Sequence, residues 1–208
     1  MKGWMKVVRS DDASRFGQMY ASGFTPWDIG RPDRNLKERL GGLDLPGPRA
    51  LEIGCGRGDN AIFLASMGLE VTATEIVPQA LEDARAKAEK AGVRITFLLL
   101  DIMDREIPGR PFHLAFDRGC FHHYGRPEDR SRFASRIAEH LVPGGLWLSL
   151  CGNADEDRGD RPGPPQLSAL DIVKAAEPFF RIISLEAARF DSNMEPPPMC
   201  WVFLAERR

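Results

Sequence analysis

A run of alternating glycines is the first feature that could do chemistry. Gly54, Gly56 and Gly58 follow an acidic residue and a short apolar segment. Glycine lets the backbone adopt positive φ and approach a ligand closely. A dinucleotide fingerprint would read GxGxxG, and its third glycine would fall on Asp59. The GxGxG spacing therefore favours a ligand made of a nucleoside and an amino acid, although a plain strand–helix turn would also use glycine.

Two acidic residues stand directly after other strand-like runs. Glu75 follows the β-branched run 70–74, where a carboxylate can accept hydrogen bonds from both hydroxyls of a ribose. Asp101 follows the wholly apolar run 95–100, and its carboxylate suits an adenine amino group while the Ile102 backbone amide suits a ring nitrogen. Simpler roles exist for both acids, since Glu75 also suits a solvated position near a helix N-terminus and Asp101 a turn.

A pair of histidines, His122 and His123, is the candidate for catalysis. Histidine titrates near neutral pH, so either ring could act as a general base toward a bound substrate. Neighbouring residues point in different directions, so we expect at most one ring to face a ligand, and packing is the simpler role. The sequence shows no spacing typical of a metal site or a catalytic triad.

The elements that must position these residues alternate along the chain. Short apolar or β-branched runs predict strands, and apolar residues at three- and four-residue steps predict helices. The predicted strands are 49–53, 70–74, 95–100, 114–117, 146–150, 180–187 and 200–205, and the predicted helices are 60–67, 78–91, 127–141 and 168–176. This alternation predicts a parallel sheet with helices on both faces and ligands beyond the carboxyl ends of its strands.

Length and composition set the outer limits. A chain of 208 residues fits one domain, 1–208, and we assign residues 1–45, with their aromatic cluster, to a helical cover over the ligand site. The formal net charge of −2 gives no electrostatic case for nucleic acid or an anionic membrane, and no apolar run approaches the ~18 residues of a membrane span. The four cysteines lack CxxC spacing, which favours a reducing cytoplasm.

A glycine turn, an acid and a second acid at three successive strand ends resemble the class I S-adenosylmethionine-dependent methyltransferases. The resemblance runs from about residue 49 to residue 150, and LVPGG at 141–145 is similar to the turn before that family's fifth strand. It implies an α/β, Rossmann-like fold with a seven-stranded, mostly parallel sheet whose last strand is antiparallel. It also implies S-adenosyl-L-methionine as cofactor, S-adenosyl-L-homocysteine as product and a small-molecule methyl acceptor. The cofactor-binding residues predicted on this basis are Gly54, Gly56, Gly58, Glu75, Asp101 and Ile102.

Further segments resemble a narrower branch, the thiopurine and thiol/halide methyltransferases. They are TPWDIGRP at 25–32, the glutamate at position 75, and Asp117-Arg118-Gly119 after the fourth strand. The resemblance implies that Trp27 packs near the methionyl part of the cofactor and that Arg118 contacts cofactor or substrate. A packing anchor and a structural ion pair are the alternatives for these two side chains. The segment CFHHY at 120–124 departs from this branch and is similar to small-molecule methyltransferases in general.

The expected reaction is methyl transfer to a small molecule, with a thiol or another soft nucleophile as the first choice because it needs little help from a base. O- or N-methylation of a small metabolite is the alternative within this class, since acceptor specificity depends on the loops around 24–32, 121–124, 152–165 and 191–198. A non-catalytic S-adenosylmethionine-binding protein is the alternative of another class. A nicotinamide-dependent oxidoreductase would require the GxGxxG turn that the chain lacks.

Overall fold

The computed structural model describes residues 7–208, with side chains from residue 13 onward. The helices in this range are α1 (Val7–Ser22), α2 (Arg34–Leu40), α3 (Asp59–Ser66), α4 (Pro78–Lys90), α5 (Pro127–His140) and α6 (Ala169–Ala176). The strands are β1 (Arg49–Ile53), β2 (Glu70–Glu75), β3 (Ile95–Leu99), β4 (Phe112–Arg118), β5 (Leu141–Asn153), β6 (Gln166–Leu167), β7 (Phe180–Arg189) and β8 (Met199–Arg207). A short 3-10 helix, Phe121–His123, follows β4.

The strands form one sheet in the order β3-β2-β1-β4-β5-β8-β7, with the two-residue β6 paired to β5 outside this path. Strands β1 to β5 pair in parallel. The last strand, β8, runs antiparallel to both β5 and β7. The predicted α/β fold, with a seven-stranded, mostly parallel sheet and an antiparallel last strand, is therefore confirmed, and β6 is an addition that the sequence patterns did not predict.

The direction in which the chain crosses the sheet determines where a ligand can bind. The chain runs outward from β1 through β2 to β3 and then returns to place β4 on the other side of β1. Such a reversal opens a crevice at the carboxyl ends of the two central strands. Because β1 to β4 are parallel, the residues that follow all four strands meet at this one edge of the sheet.

The start of β5 differs from the prediction. The sequence predicts a turn at 143–145 and a strand from residue 146, whereas β5 begins at Leu141. Phe112 of β4 pairs with Leu141, but Leu114 pairs with Leu146, so the intervening residues form an irregularity inside the pairing. The predicted turn is thus present as an insertion between two paired stretches, and local sequence alone could not show that pairing continues before it.

Helices cover both faces of the sheet with apolar side chains. One cluster packs α5 and α6 onto the sheet around Phe133, Trp147 and Phe203. The other packs α2, α3 and α4 around residues such as Leu64 and Phe116. Each large side chain that is fully buried contributes roughly 1.5–3 kcal/mol of transfer free energy, so these two clusters hold the strand ends rigidly in place.

A third, smaller cluster joins the N-terminal helix to the body of the protein. Tyr20 of α1 packs against Val77 and Ala80 at the start of α4, with Phe16 and Trp27 beside it. The N-terminal segment therefore lies next to the end of β2. None of the helices within residues 7–208 is long and apolar enough to cross a membrane.

Candidate functional site

The glycine turn between β1 and α3 is shaped by close packing. Gly56 and Gly58 have φ of +54° and +79°, a region that residues with a Cβ rarely adopt. A Cβ on Gly58 would lie 2.9 Å from the Ala84 Cβ, and a Cβ on Gly56 would lie 2.8 Å from the Tyr20 hydroxyl. Gly54 is exposed at the mouth of the turn. The two inner positions therefore admit only glycine, and the turn presents backbone rather than side chains to the edge of the sheet.

Glu75 ends β2, and its carboxylate folds back onto the glycine turn. It accepts hydrogen bonds from the backbone N–H groups of Gly56 at 2.8 Å, Ile76 at 2.7 Å and Val77 at 3.0 Å. Burial raises the pKa of this carboxyl, while the three N–H groups favour its charged form. A carboxylate can accept about four hydrogen bonds, so Glu75 retains capacity for a further donor such as a hydroxyl.

Asp101 and Ile102 lie just beyond β3, beside the end of β2. The Leu100 backbone N–H donates to the Glu75 carbonyl at 2.9 Å and so holds the two strand ends together. Asp101 Oδ1 accepts the Met103 backbone N–H at 2.8 Å, which is the turn-forming role. Among the described residues, neither the other carboxylate oxygen of Asp101 nor the backbone N–H of Ile102 has a partner. Both groups are available to a ligand.

The segment that carries Trp27 is bonded to α1 by a hydrogen bond and to the glycine turn by an ion pair. Trp27 donates its indole N–H to the Tyr20 hydroxyl at 3.2 Å. Arg57, which lies inside the glycine turn, donates to Asp28 at 2.5 Å and to Asp83 of α4 at 2.9 Å. Because Arg57 pairs with both carboxylates, it links the N-terminal segment to the turn and to α4 at once.

Arg118 ends β4 and directs three of its N–H groups to other parts of the protein. They donate to the Asp33 carboxylate at 2.6 Å, the Trp27 carbonyl at 3.1 Å and the Asp191 carbonyl at 2.7 Å. Asp33 is fully buried. The structure thus shows the structural ion pair that was the alternative role, and the contact of Arg118 with cofactor or substrate stays a prediction.

The two histidines occupy different environments. His122 is buried, and its Nδ1 accepts the Gly152 backbone N–H at 2.9 Å. A neutral imidazole that accepts at Nδ1 carries its proton on Nε2, and burial lowers the pKa of His122 well below its ordinary value. The ring is a neutral N–H donor, which argues against the general-base role predicted for it. His123 is exposed and packs edge-on against Phe16 at 5.2 Å, and its catalytic role stays a prediction.

Comparison with known proteins shows the family of this chain. Residues 50–145 match the family model described as a methyltransferase domain. The chain is 29% identical over 184 residues to probable thiol methyltransferase 2 of Arabidopsis thaliana, which covers 86% of this chain and 79% of that protein. It is 32% identical over 158 residues to thiocyanate methyltransferase 1 of Brassica oleracea, which covers 74% of this chain and 67% of that protein. The chain belongs to the class I S-adenosylmethionine-dependent methyltransferases.

Solved structures agree with this family. A structure from work on the conversion of a disulfide bond into a thioacetal group during echinomycin biosynthesis matches this methyltransferase with a TM-score of 0.80 at 22% identity, covering 94% of this chain and 91% of that chain. At that identity the similarity concerns the fold alone. Neighbours with the same fold have been solved with bound S-adenosylmethionine and with bound S-adenosylhomocysteine. S-adenosylmethionine is the cofactor of this methyltransferase.

Glu52 of the methyltransferase has a buried carboxylate oxygen that fits a group of this cofactor. It precedes the glycine turn on β1 and is buried, and its Oε2 has no hydrogen-bond partner among the described residues. Burial raises its pKa to about 8, against the opposing effect of hydrogen bonds from Asn60 and Ala61. A buried acceptor without a partner is unfavourable. The ammonium group of the methionyl part of the cofactor would satisfy it, so the methyltransferase fits its cofactor at this edge.

Three side chains of this edge were not predicted as site residues: Tyr20, Asp33 and Glu52. Glu52 had a signal in the sequence, since it directly precedes the glycine turn. Tyr20 belongs to the aromatic cluster of the N-terminal cover, but its position over Gly56 depends on how α1 packs. Asp33 had no signal, because its contact with Arg118 spans 85 residues of sequence.

Proposed function

We propose that this methyltransferase transfers the methyl group of S-adenosylmethionine to the sulfur of a small thiol or to another soft, anionic nucleophile. The observation that carries the proposal is the state of His122. Its Nδ1 is occupied by the Gly152 N–H, and its Nε2 already holds a proton. The buried ring cannot remove a proton from an acceptor, so an acceptor that arrives already ionised is favoured.

The carboxylates near the end of β4 are also committed to partners. Asp33 is paired with Arg118 at 2.6 Å. Asp117 is fully buried and accepts the Trp147 indole N–H at 2.9 Å and the Phe121 backbone N–H at 3.0 Å. A hydroxyl or amine acceptor therefore receives no help from either carboxylate. A thiol, with a pKa of about 8.5 in solution, supplies a useful thiolate fraction near neutral pH without a base.

The named relatives support the same acceptor class. One is a probable thiol methyltransferase and another is a thiocyanate methyltransferase, and both names refer to acceptors that contain sulfur. Thiolate and thiocyanate are soft anions. Neither needs a general base, and the paired side chains around β4 offer none. O- or N-methylation of a small metabolite remains the alternative to be tested against this proposal.

For the cofactor we propose the residues predicted from the sequence, together with Glu52. The backbone at Gly54, Gly56 and Gly58 allows close approach, and Glu75, with one acceptor position left, accepts from a ribose hydroxyl. Asp101 and the Ile102 amide receive the adenine ring, and Trp27 packs near the methionyl part. This assignment is supported by the acceptor capacity of Glu75, the unpaired groups of Asp101 and Ile102, and the unpaired oxygen of Glu52.

We propose further that the chain acts as one domain, 1–208, in which residues 1–45 cover the cofactor. When bound, S-adenosylmethionine supplies a methyl group activated by its sulfonium. The work left to the protein is to align the acceptor and to exclude water, and alignment alone can recover about 7–11 kcal/mol of a barrier. The aromatic side chains of Phe16, Tyr20 and Trp27 provide an apolar surface for that exclusion.

The test is methyl transfer from isotopically labelled S-adenosylmethionine to matched acceptors. Thiophenol and phenol share one ring and differ in the reacting atom, and thiocyanate and aniline extend the comparison. We expect thiophenol to exceed phenol and aniline by about a hundredfold or more in kcat/KM, because neither the buried His122 nor the carboxylates of Asp33 and Asp117 assist deprotonation of the acceptor. A faster reaction with phenol or aniline would contradict the proposal, and cofactor binding without transfer to any acceptor would indicate a non-catalytic binding protein.

A further inference from the structure

Arg118 joins parts of the chain that come together only in the folded protein. Its Nε, Nη1 and Nη2 groups donate to the Asp33 carboxylate, the Trp27 carbonyl and the Asp191 carbonyl. These partners are 85, 91 and 73 residues away in sequence. The planar guanidinium fixes the direction of each bond, which a lysine ammonium could not do. Arg118 therefore sets the mutual position of two segments at the end of β4.

The first segment is 25–33, which carries Trp27, and the second is the loop 191–198 between β7 and β8. Arg31 and Asp191 connect the same two segments directly through hydrogen bonds of 2.6 and 3.2 Å. That pair is half-exposed on the arginine side, so solvent screens it. The Arg118 side chain is only 12% exposed, and its partner Asp33 is fully buried. Arg118 is therefore the stronger of the two connections.

The Asp33 carboxylate makes a second contact, which strengthens the connection through Arg118. Its Oδ1 caps the start of α2 by accepting the Asn35 backbone N–H at 2.9 Å, while Oδ2 receives Arg118. A buried carboxylate without its cation is strongly destabilising. Because Asp33 is held at the start of α2, the end of segment 25–33 is held there too. The bond from Arg118 to Asp33 then joins this segment to the end of β4.

Arg118 lies close to His122, the residue whose protonation state supports the proposed function. The Arg118 guanidinium lies 5.1 Å from the centre of the Phe190 ring, and the Phe190 ring is 6.3 Å from that of His122. The segment with Trp27, the end of β4 and the loop 191–198 therefore meet at the carboxyl edge of the sheet. A change in the spacing of the two segments would alter how an acceptor is aligned there.

We propose that Arg118 is a positioning residue for methyl transfer, which holds segment 25–33 and loop 191–198 at a fixed separation and so determines the width of the acceptor pocket. This rests on the proposed function for the location of the acceptor. In this proposal Arg118 acts on the reaction by positioning two protein segments, and not through the ligand contact that the family resemblance implies.

The main test is Arg118→Lys, assayed with thiophenol and labelled S-adenosylmethionine. Lysine keeps the charge next to Asp33 but loses the fork that reaches the two carbonyls. Because misplacement of about 1 Å can cost a hundredfold, we expect kcat/KM to fall about ten- to a hundredfold, mainly through kcat. The Kd of S-adenosylhomocysteine, measured by calorimetry, should weaken by no more than about threefold, because Trp27 is the one proposed cofactor contact in a segment that Arg118 holds, and the contacts of β1 to β3 are untouched.

Arg39→Ala is the matched control. Arg39 forms a two-bond pair with Glu186, at 2.8 and 2.5 Å, which also joins the N-terminal region to the C-terminal strands but lies on the surface. We expect its kcat/KM to remain at the wild-type value. Hydrogen exchange in the presence of S-adenosylhomocysteine should show segments 25–33 and 191–198 losing protection together in Arg118→Lys and retaining it in Arg39→Ala.

Several results would overturn the proposal. One is an Arg118→Lys enzyme within twofold of wild type in kcat/KM, and another is a Kd for S-adenosylhomocysteine that weakens in the same proportion, which would indicate direct cofactor contact. If Arg118→Lys does not fold, Asp33→Asn provides the same test, because asparagine retains the helix cap. If the wild type does not methylate thiophenol, the proposed acceptor is wrong, and hydrogen exchange alone then decides: unchanged protection of both segments overturns the role of Arg118.

Discussion

The cofactor half and the acceptor half of this site are built in opposite ways. At the ends of β1 to β3, the carboxylates of Glu75 and Asp101 accept hydrogen bonds from backbone groups close in sequence or on a neighbouring strand, and the ion pairs of Arg57 with Asp28 and Asp83 are the exception. At the end of β4, side chains reach across the molecule, as Arg118 does to Asp33 and His122 does to Gly152. The first half therefore depends less than the second on how distant segments pack together.

The largest effect is expected from Gly56→Val in the cofactor half. Overpacking costs about 1–3 kcal/mol, and here a Cβ would meet the Tyr20 hydroxyl at 2.8 Å in addition to the strain of positive φ. We expect the affinity for S-adenosylhomocysteine to fall by about a hundredfold or more, equivalent to about 2.7 kcal/mol. Calorimetry measures this, with thermal unfolding alongside it.

Gly68→Val is the control for backbone strain alone. Gly68 has φ of +89°, but a Cβ there would meet nothing within 4 Å. It should lower the melting temperature while leaving the Kd of S-adenosylhomocysteine unchanged. Equal losses of affinity in both variants would show that the turn at Gly56 has no special part in binding the ligand.

A smaller loss is expected for Glu75→Ala. A hydrogen bond to a charged group contributes about 1.5–3 kcal/mol, so losing the ribose contact should weaken S-adenosylhomocysteine binding about 10- to 100-fold. The structure adds a stability cost, because three backbone N–H groups lose their acceptor. Glu70→Ala, at the exposed start of β2, is the matched control. Binding within twofold of wild type in Glu75→Ala would contradict the ribose assignment.

Glu52→Gln should change how stability depends on pH. In the folded protein the carboxyl has a pKa of about 8, raised from an ordinary value of 4.5, so folding favours its protonated form. The wild type therefore loses stability as pH rises from 4.5 towards 8, because only the unfolded chain ionises over that range. Glutamine does not titrate, so its advantage over wild type should grow between pH 5 and pH 8 by on the order of 3–4 kcal/mol.

Urea unfolding at pH 5 and pH 8 measures this difference, and each protein serves as its own reference at the lower pH. If the difference in unfolding free energy between Glu52→Gln and wild type is the same at pH 5 and pH 8, Glu52 is ionised in the folded protein at both pH values. Saturating S-adenosylhomocysteine should reduce the pH effect in the wild type, since its ammonium group favours the ionised carboxyl.

The smallest effect is expected for His123→Ala, which tests the acceptor half. A general base contributes about a hundredfold or more to the rate, whereas an exposed ring packed on Phe16 should contribute less than about threefold. The rate with thiophenol should be followed across pH 5–9, where it should track ionisation of the thiol in both proteins. A hundredfold loss in His123→Ala would restore the histidine as a base and remove the contrast between the two halves.

Much of the fold and half of the site were predictable from local sequence. The helix predicted at 78–91 is α4 (Pro78–Lys90), because Pro78 suits the first turn and its apolar residues recur on one face. The glycine spacing and the acids after β2 and β3 are visible because parallel strands bring their carboxyl ends to one edge. By contrast, pairing decided that β5 begins at Leu141, and only the folded chain forms β6.

The sequence by itself determined the sheet and the residues at the ends of β1 to β3, since these follow from periodicity and from contacts between near neighbours, and the resemblance of its motifs indicated the family. Only the tertiary structure decided the state of the side chains around β4. The tautomer of His122 depends on a backbone N–H 30 residues away, and the partners of Arg118 lie 73 to 91 residues away. Residue type alone does not specify which groups meet across such distances, because packing of the whole chain brings them together.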